Sequence, residues 1–102
     1  MSDLLTVNKS PFERSSLESC LKMATPGAAI LLLEDGVYGA MKGTAAADLV
    51  TAAMADKKVY ALGPDLMARG IKEDRVLDGI EVVDYAGFVD LVEANDKVQA
   101  WL

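Results

Sequence analysis

The sequence contains no histidine. That removes the commonest general base, the Ser-His and Cys-His dyads, and any histidine-bearing zinc site. It contains one cysteine, Cys20. A lone thiol closes no disulfide within its chain, so a reducing cytoplasm is the expected setting. Basic clusters are also missing: Lys57-Lys58 is the longest run, and the net charge is −6. Gripping a phosphate backbone requires clustered lysine and arginine, so direct nucleic-acid binding is disfavoured. No apolar run reaches the ~18 residues a membrane helix needs. The opening stretch MSDLLTVNKS lacks the basic region and long apolar segment of a secretory signal. There is no glycine-rich phosphate loop either.

What is present is an apolar-rich chain of 102 residues, 52% apolar and 25% charged. That length and balance predict one globular domain over residues 1–102, able to bury roughly 60–65% of the unfolded chain's surface. The apolar share is high for so small a protein, and part of it is expected at subunit interfaces.

Ala29–Leu33 is a continuous apolar run without alternation, followed by Glu34-Asp35-Gly36. A strand with one wet face would alternate, so this one is expected to be central and buried on both faces. It ends in an acidic turn at the sheet's carboxyl edge, where open α/β sheets place ligands and partners. Leu4–Val7 precedes it as a first strand. Ser10, Pro11 and Glu13 form a capping box with proline at the first helical position, which predicts a helix start. Leu17, Cys20, Leu21 and Ala24 continue at helical spacing, and Thr25-Pro26-Gly27 stops the helix.

Further on, a helical turn from Val37, a break at Lys42-Gly43-Thr44 and a helix from Asp48 to Ala55 are expected. A third strand follows over 58–62. A short helix runs from Pro64 to Arg69-Gly70, and a fourth strand over 80–83. Asp84 caps a helix whose apolar stripe is Tyr85, Phe88, Val89 and Val92. Residues 98–102 make a last strand or an apolar tail. The alternation of strands and helices predicts an α/β three-layer domain with a mostly parallel sheet. Precedent at this size suggests a flavodoxin-like strand order.

Few residues offer chemistry. Cys20 is the one plausible nucleophile, as a persulfide carrier or a mixed-disulfide partner. Its other reading is a small core residue, because it shares the stripe of Leu17 and Leu21 and lies beyond the reach of the helix dipole. Glu34, Asp35, Asp65 and Asp84 all follow apolar strands and could meet on one edge to bind Mg²⁺. The plainer reading makes Asp65 and Asp84 helix-start residues and Glu34-Asp35 a turn. Asn8-Lys9-Ser10 could receive an anion at a helix start, although capping alone explains Ser10. Tyr38, Met41, Met54, Met67 and Trp101 suit a core or an interface. No metal or cofactor is expected, and the chain reads as a subunit with no complete acid–base set.

Several segments together resemble the DsrH/TusB family of sulfur-relay proteins: TVNKSPFE, LESCLK, LLLEDGVYGA, VYALGPDLMARG, VVDYAGFVDL and VQAWL. They run in order through nearly the whole chain. Within the family the sequence is similar to DsrH rather than TusB, since Cys20 matches the cysteine typical of DsrH. The resemblance implies a DsrEFH-like fold and an accessory, non-catalytic subunit of a cytoplasmic heterohexamer. The partners it implies are DsrE/TusD-like and DsrF/TusC-like chains, with the main sulfur-carrying cysteine on the DsrE/TusD type. A DsrC/TusE-type carrier would receive the sulfur. Dissimilatory sulfur oxidation is the expected process, with 2-thiolation of the tRNA wobble uridine, or direct transfer by Cys20, as alternatives. Direct contact with nucleic acid or membrane is not expected.

Overall fold

Five parallel strands form one sheet, and the apolar run that starts at Ala29 lies at its middle. The computed structural model describes residues 2–13 and 15–102. The chain order is β1 (Asp3–Val7), α1 (Ser16–Met23), β2 (Ala29–Leu32), a 3₁₀ helix (Glu34–Ala40), α2 (Ala47–Ala53), β3 (Lys58–Leu62), α3 (Gly63–Ala68), a 3₁₀ turn (Glu73–Arg75), β4 (Glu81–Val83), α4 (Tyr85–Ala94) and β5 (Lys97–Trp101). All four residues of β2 are buried, as an apolar run without alternation requires.

The spatial order is β4-β3-β2-β1-β5. This corrects the flavodoxin-like order, in which β2 and β3 flank β1. Here the chain steps the same way from β1 through β2 and β3 to β4. Right-handed crossovers then place α1, α2 and α3 on one face. Only the last connection returns across the whole sheet, carrying α4 over the opposite face and setting β5 beside β1, with Val7 opposite Trp101.

The two faces have separate cores. Leu5, Val7, Ile30, Leu32, Val59 and Ala61 point towards Leu17, Cys20 and Leu21 of α1, Val37 and Ala40 of the 3₁₀ helix, Val50 of α2 and Leu66 of α3. Leu4, Ala29 and Leu31 point the other way, with Leu33, Tyr60 and Val83, and meet Phe88 and Leu91 of α4.

The first helix begins later than its capping box suggests. The Ser10 hydroxyl accepts from the Phe12 N–H at 3.2 Å, and the Ser10 carbonyl accepts from the Glu13 N–H at 3.2 Å. Ser10 therefore closes a turn, a conformation its side chain can support as well as a helix. The α-helix starts at Ser16, with no side-chain cap. The cap at Asp84 does form: its carboxylate accepts from the Gly87 N–H at 2.8 Å. The stripe on α4 is split. Phe88 turns to the sheet with Leu91, while Tyr85, Val89 and Val92 stay exposed.

Candidate functional site

A parallel sheet collects all its strand ends on one edge, and here that edge brings together Asn8, Glu34, Asp35, Asp65 and Trp101. Its centre is the junction between β2 and the 3₁₀ helix. Leu33 N–H donates to the Val7 carbonyl at 3.1 Å, so the end of β2 is fastened to the end of β1. Glu34 then takes a left-handed conformation, φ 50°. Such a backbone needs local support in a residue other than glycine. The support is Asp65 at the start of α3, whose carboxylate accepts the Glu34 N–H. Gly36 follows at van der Waals limit: a Cβ there would lie 2.0 Å from the Val7 carbonyl oxygen. Glycine is required because backbone presses on backbone.

Asp35 pairs with Arg69 at the end of α3. Both the Nε and Nη2 of Arg69 lie 2.9 Å from Asp35 Oδ1. Nη1 of the same guanidinium donates to the Asp65 carbonyl at 3.3 Å. One arginine thus links the acidic turn to the helix that supports it. Sequence reading placed Arg69 only as a helix-closing charge. Its pairing with Asp35 spans 34 positions, a separation no local pattern reveals.

These contacts decide the chemistry of three of the four acids. Asp65 is engaged by a backbone N–H, Asp35 by a guanidinium, and Asp84 by its own helix. Among the described residues no group of three or more Cys, Asp or Glu side chains is placed to hold a metal ion. The plainer reading, with Asp65 and Asp84 at helix starts and Asp35 in a turn, matches the hydrogen bonds of these three. The anion reading of Asn8-Lys9-Ser10 loses its basis, because the helix begins at Ser16. Asn8 Oδ1 and Trp101 Nε1, on neighbouring strand ends, are buried without a hydrogen-bond partner among the described residues.

Cys20 lies in the middle of α1 with none of its surface exposed, packed in the larger core. Burial pushes its thiol up to about 11. At neutral pH the thiolate fraction is then about one in ten thousand, and the thiolate is the nucleophilic form. The methionines and aromatics divide. Tyr38, Met41, Met54 and Trp101 pack against the core. Met67 is 78% exposed. It borders an apolar cleft of about 820 Å³ with Pro64, Leu66, Ile71 and Val82. No helix among the described residues is long and apolar enough to cross a membrane.

The geometry is that of a five-stranded parallel α/β unit with its carboxyl edge locked by structural contacts, its one thiol sealed and several apolar side chains left outside. The comparisons with known proteins give the family. Residues 9–98 match the profile described as DsrH like protein. The chain is 36% identical over 98 residues to Protein TusB of Shigella flexneri, covering 96% of this chain and 99% of that one. It is 33% identical, with the same coverage, to Protein TusB of Photorhabdus laumondii. The chain belongs to the DsrH-like family, the DsrH/TusB sulfur-relay proteins that its segments resemble. The fold is also that of the ychN protein from E. coli, with a TM-score of 0.80 at 19% identity over 98% of this chain and 99% of that one. Both relatives carry the TusB name, although Cys20 had favoured the DsrH side.

Proposed function

We infer that this chain is an accessory subunit of a cytoplasmic TusB-type sulfur-relay complex. In this reading it stands beside TusC-like and TusD-like chains and serves 2-thiolation of the wobble uridine in certain tRNAs. A TusE-type carrier takes the sulfur onward. The observation that carries the reading is the end-to-end match to proteins named TusB, at 36% identity over 98 residues. The buried thiol supports an accessory role: a persulfide must be reached by donor and acceptor, and Cys20 has no exposed surface in this fold. On this reading Cys20 packs α1 against the sheet and the sulfur travels on a partner subunit. The acidic charge supports keeping tRNA away from this chain.

The test is genetic and chemical. Deleting the gene should abolish 2-thiouridine in bulk tRNA, read by nucleoside mass spectrometry. A Cys20→Ala copy should restore it. Restoration by the native gene but not by a stably folded Cys20→Ala chain would replace this reading with direct transfer by Cys20. A deletion that leaves 2-thiouridine intact and stops sulfur oxidation would move the chain to the DsrH branch. Maleimide should label Cys20 only after unfolding.

A further inference from the structure

The acid excess of this protein is not spread over it. Residues 81–96, which make β4 and α4, hold Glu81, Asp84, Asp90, Glu93 and Asp96 and no lysine or arginine. The rest of the chain holds eleven acids and ten bases, close to balance. The four ion pairs formed among the described residues all lie outside this segment. Glu81, Asp90 and Glu93 are exposed. Along the same helix Tyr85, Val89 and Val92 recur at i, i+4 and i+7, and they are 59%, 55% and 40% exposed. An apolar stripe on a helix is normally the face turned to the core. Here the core-facing side is already supplied by Phe88 and Leu91.

We propose that the exposed flank of α4 docks into an apolar groove, bordered by lysine and arginine, on a different protein chain. The charge selects the occupant. A second copy meeting this face through a two-fold axis would set one group of acids against its own image, which is repulsive. Anionic lipid and nucleic acid are repelled in the same way. A basic rim around an apolar groove is attracted, and the stripe then supplies the anchors while the acids supply orientation and exclude wrong partners. The choice of test partners rests on the functional reading above: they are the TusC-like and TusD-like subunits.

The full-length chain is co-expressed with those two subunits, and assembly is measured by analytical ultracentrifugation and titration. With the native chain assembling, Val89→Lys combined with Val92→Lys should weaken assembly about 30-fold or more, the scale of a buried interface anchor. Asp90→Lys combined with Glu93→Lys should weaken it about tenfold at low salt. That second loss should shrink at 1 M salt, where the Debye length is about 3 Å. Hydrogen exchange across residues 85–93 should slow in the native complex, a readout that requires no variant to fold. Native assembly with unchanged exchange, and with folded variants assembling equally well, overturns this surface while leaving the functional reading standing. A native homodimer that Val89→Lys breaks overturns it in favour of a second copy. Failure of the native chain to assemble with either subunit overturns the functional reading, and the surface falls with it.

Discussion

On one face of the sheet Leu5, Val7, Ile30, Leu32, Val59 and Ala61 lie beneath three helices and the 3₁₀ segment, and each of these strand residues is buried. On the other face Leu4, Ala29 and Leu31 lie beneath α4 alone, and no residue of α4 is itself buried. The strands alternate identically towards both faces, so the difference comes from what covers them. The first face is closed by α1, α2 and α3 because the chain steps one way through four strands. The second receives only the returning connection. That connection is also where the acid excess lies. One face is therefore a finished core, and the other is a cover whose outer side has the composition of a contact surface. Breaking the first face should unfold the chain, whereas altering the outer side of the second should spare the fold and harm association.

The largest effect is expected at the junction that fixes the first face. Gly36→Ala would drive a Cβ to 2.0 Å from the Val7 carbonyl oxygen, and neither backbone can retreat while Leu33 N–H is bonded to that same oxygen. The entropic gain of alanine over glycine is at most about 1 kcal/mol. The clash should exceed about 4 kcal/mol, in the range reserved for a broken backbone arrangement. Urea denaturation would measure it. A Gly36→Ala chain as stable as the native one would mean that the first face is not rigidly built around this contact. Next is Leu17→Ala, which empties a side chain 1% exposed between α1 and the sheet. A loss of about 2–5 kcal/mol is expected for a buried leucine.

How much of this was visible in the sequence follows from the range of the interaction concerned. The central strand was legible in the residues 29–33 because burial on both faces leaves a local signature. The Asp84 cap and the Pro64 start of α3 were legible for the same reason. The start of α1 was not, since Ser10 can close a turn with the atoms that would cap a helix. Strand order was not, because a βαβ unit fixes its handedness but not the direction of the next step. The pairing of Asp35 with Arg69 joins two elements separated by a strand and a helix. On α4, apolar residues at 85, 88, 89, 91 and 92 form one broad arc of roughly 160°, wider than the strip that meets the sheet. Only the packing against Leu4 and Leu31 shows which of them turn inward. At the candidate site, Cys20 could be named from the sequence, and its place on the stripe of Leu17 and Leu21 already pointed to the core; how completely it is sealed depends on the strands beneath it.

Cys20 offers the next effect, and its sign follows from burial. The folded thiol is raised from 9.0 to about 11. Between those values the unfolded chain has lost its proton and the folded chain has kept it, so stability falls as pH rises. Below pH 9 the contribution is constant. Across pH 9–11 the loss should be about 2 kcal/mol, approaching about 3 kcal/mol only above pH 11, with a slope of at most about 1.4 kcal/mol per pH unit. Cys20→Ala should lack this decline, so the native-minus-variant stability should narrow between pH 8 and pH 11. Other groups titrate in the range and cancel in that difference. A constant difference would mean that the first face admits water as far as α1. Leu91→Ala should cost less, about 1–2 kcal/mol, because Leu91 covers the second face while staying partly exposed. An equal cost for Leu17→Ala and Leu91→Ala would erase the distinction between the faces.

The smallest effect on the isolated chain carries the sharpest form of the comparison. Val89 is 55% exposed on α4, four residues before the exposed Glu93. Lysine has a better helix propensity than valine by a few tenths of a kcal/mol, and an i,i+4 pair with an acid adds about 0.2–0.5 kcal/mol. Lost apolar cover on the sheet works against these small gains. Val89→Lys should therefore shift the stability of the isolated chain by less than about 0.5 kcal/mol, the ordinary range for a surface change. Calorimetry on the isolated variant checks this. A substitution silent there and harmful in the assembled complex separates folding from association at one side chain. A large destabilisation of the isolated chain would instead place Val89 in the core of the second face, and both faces would then be finished cores.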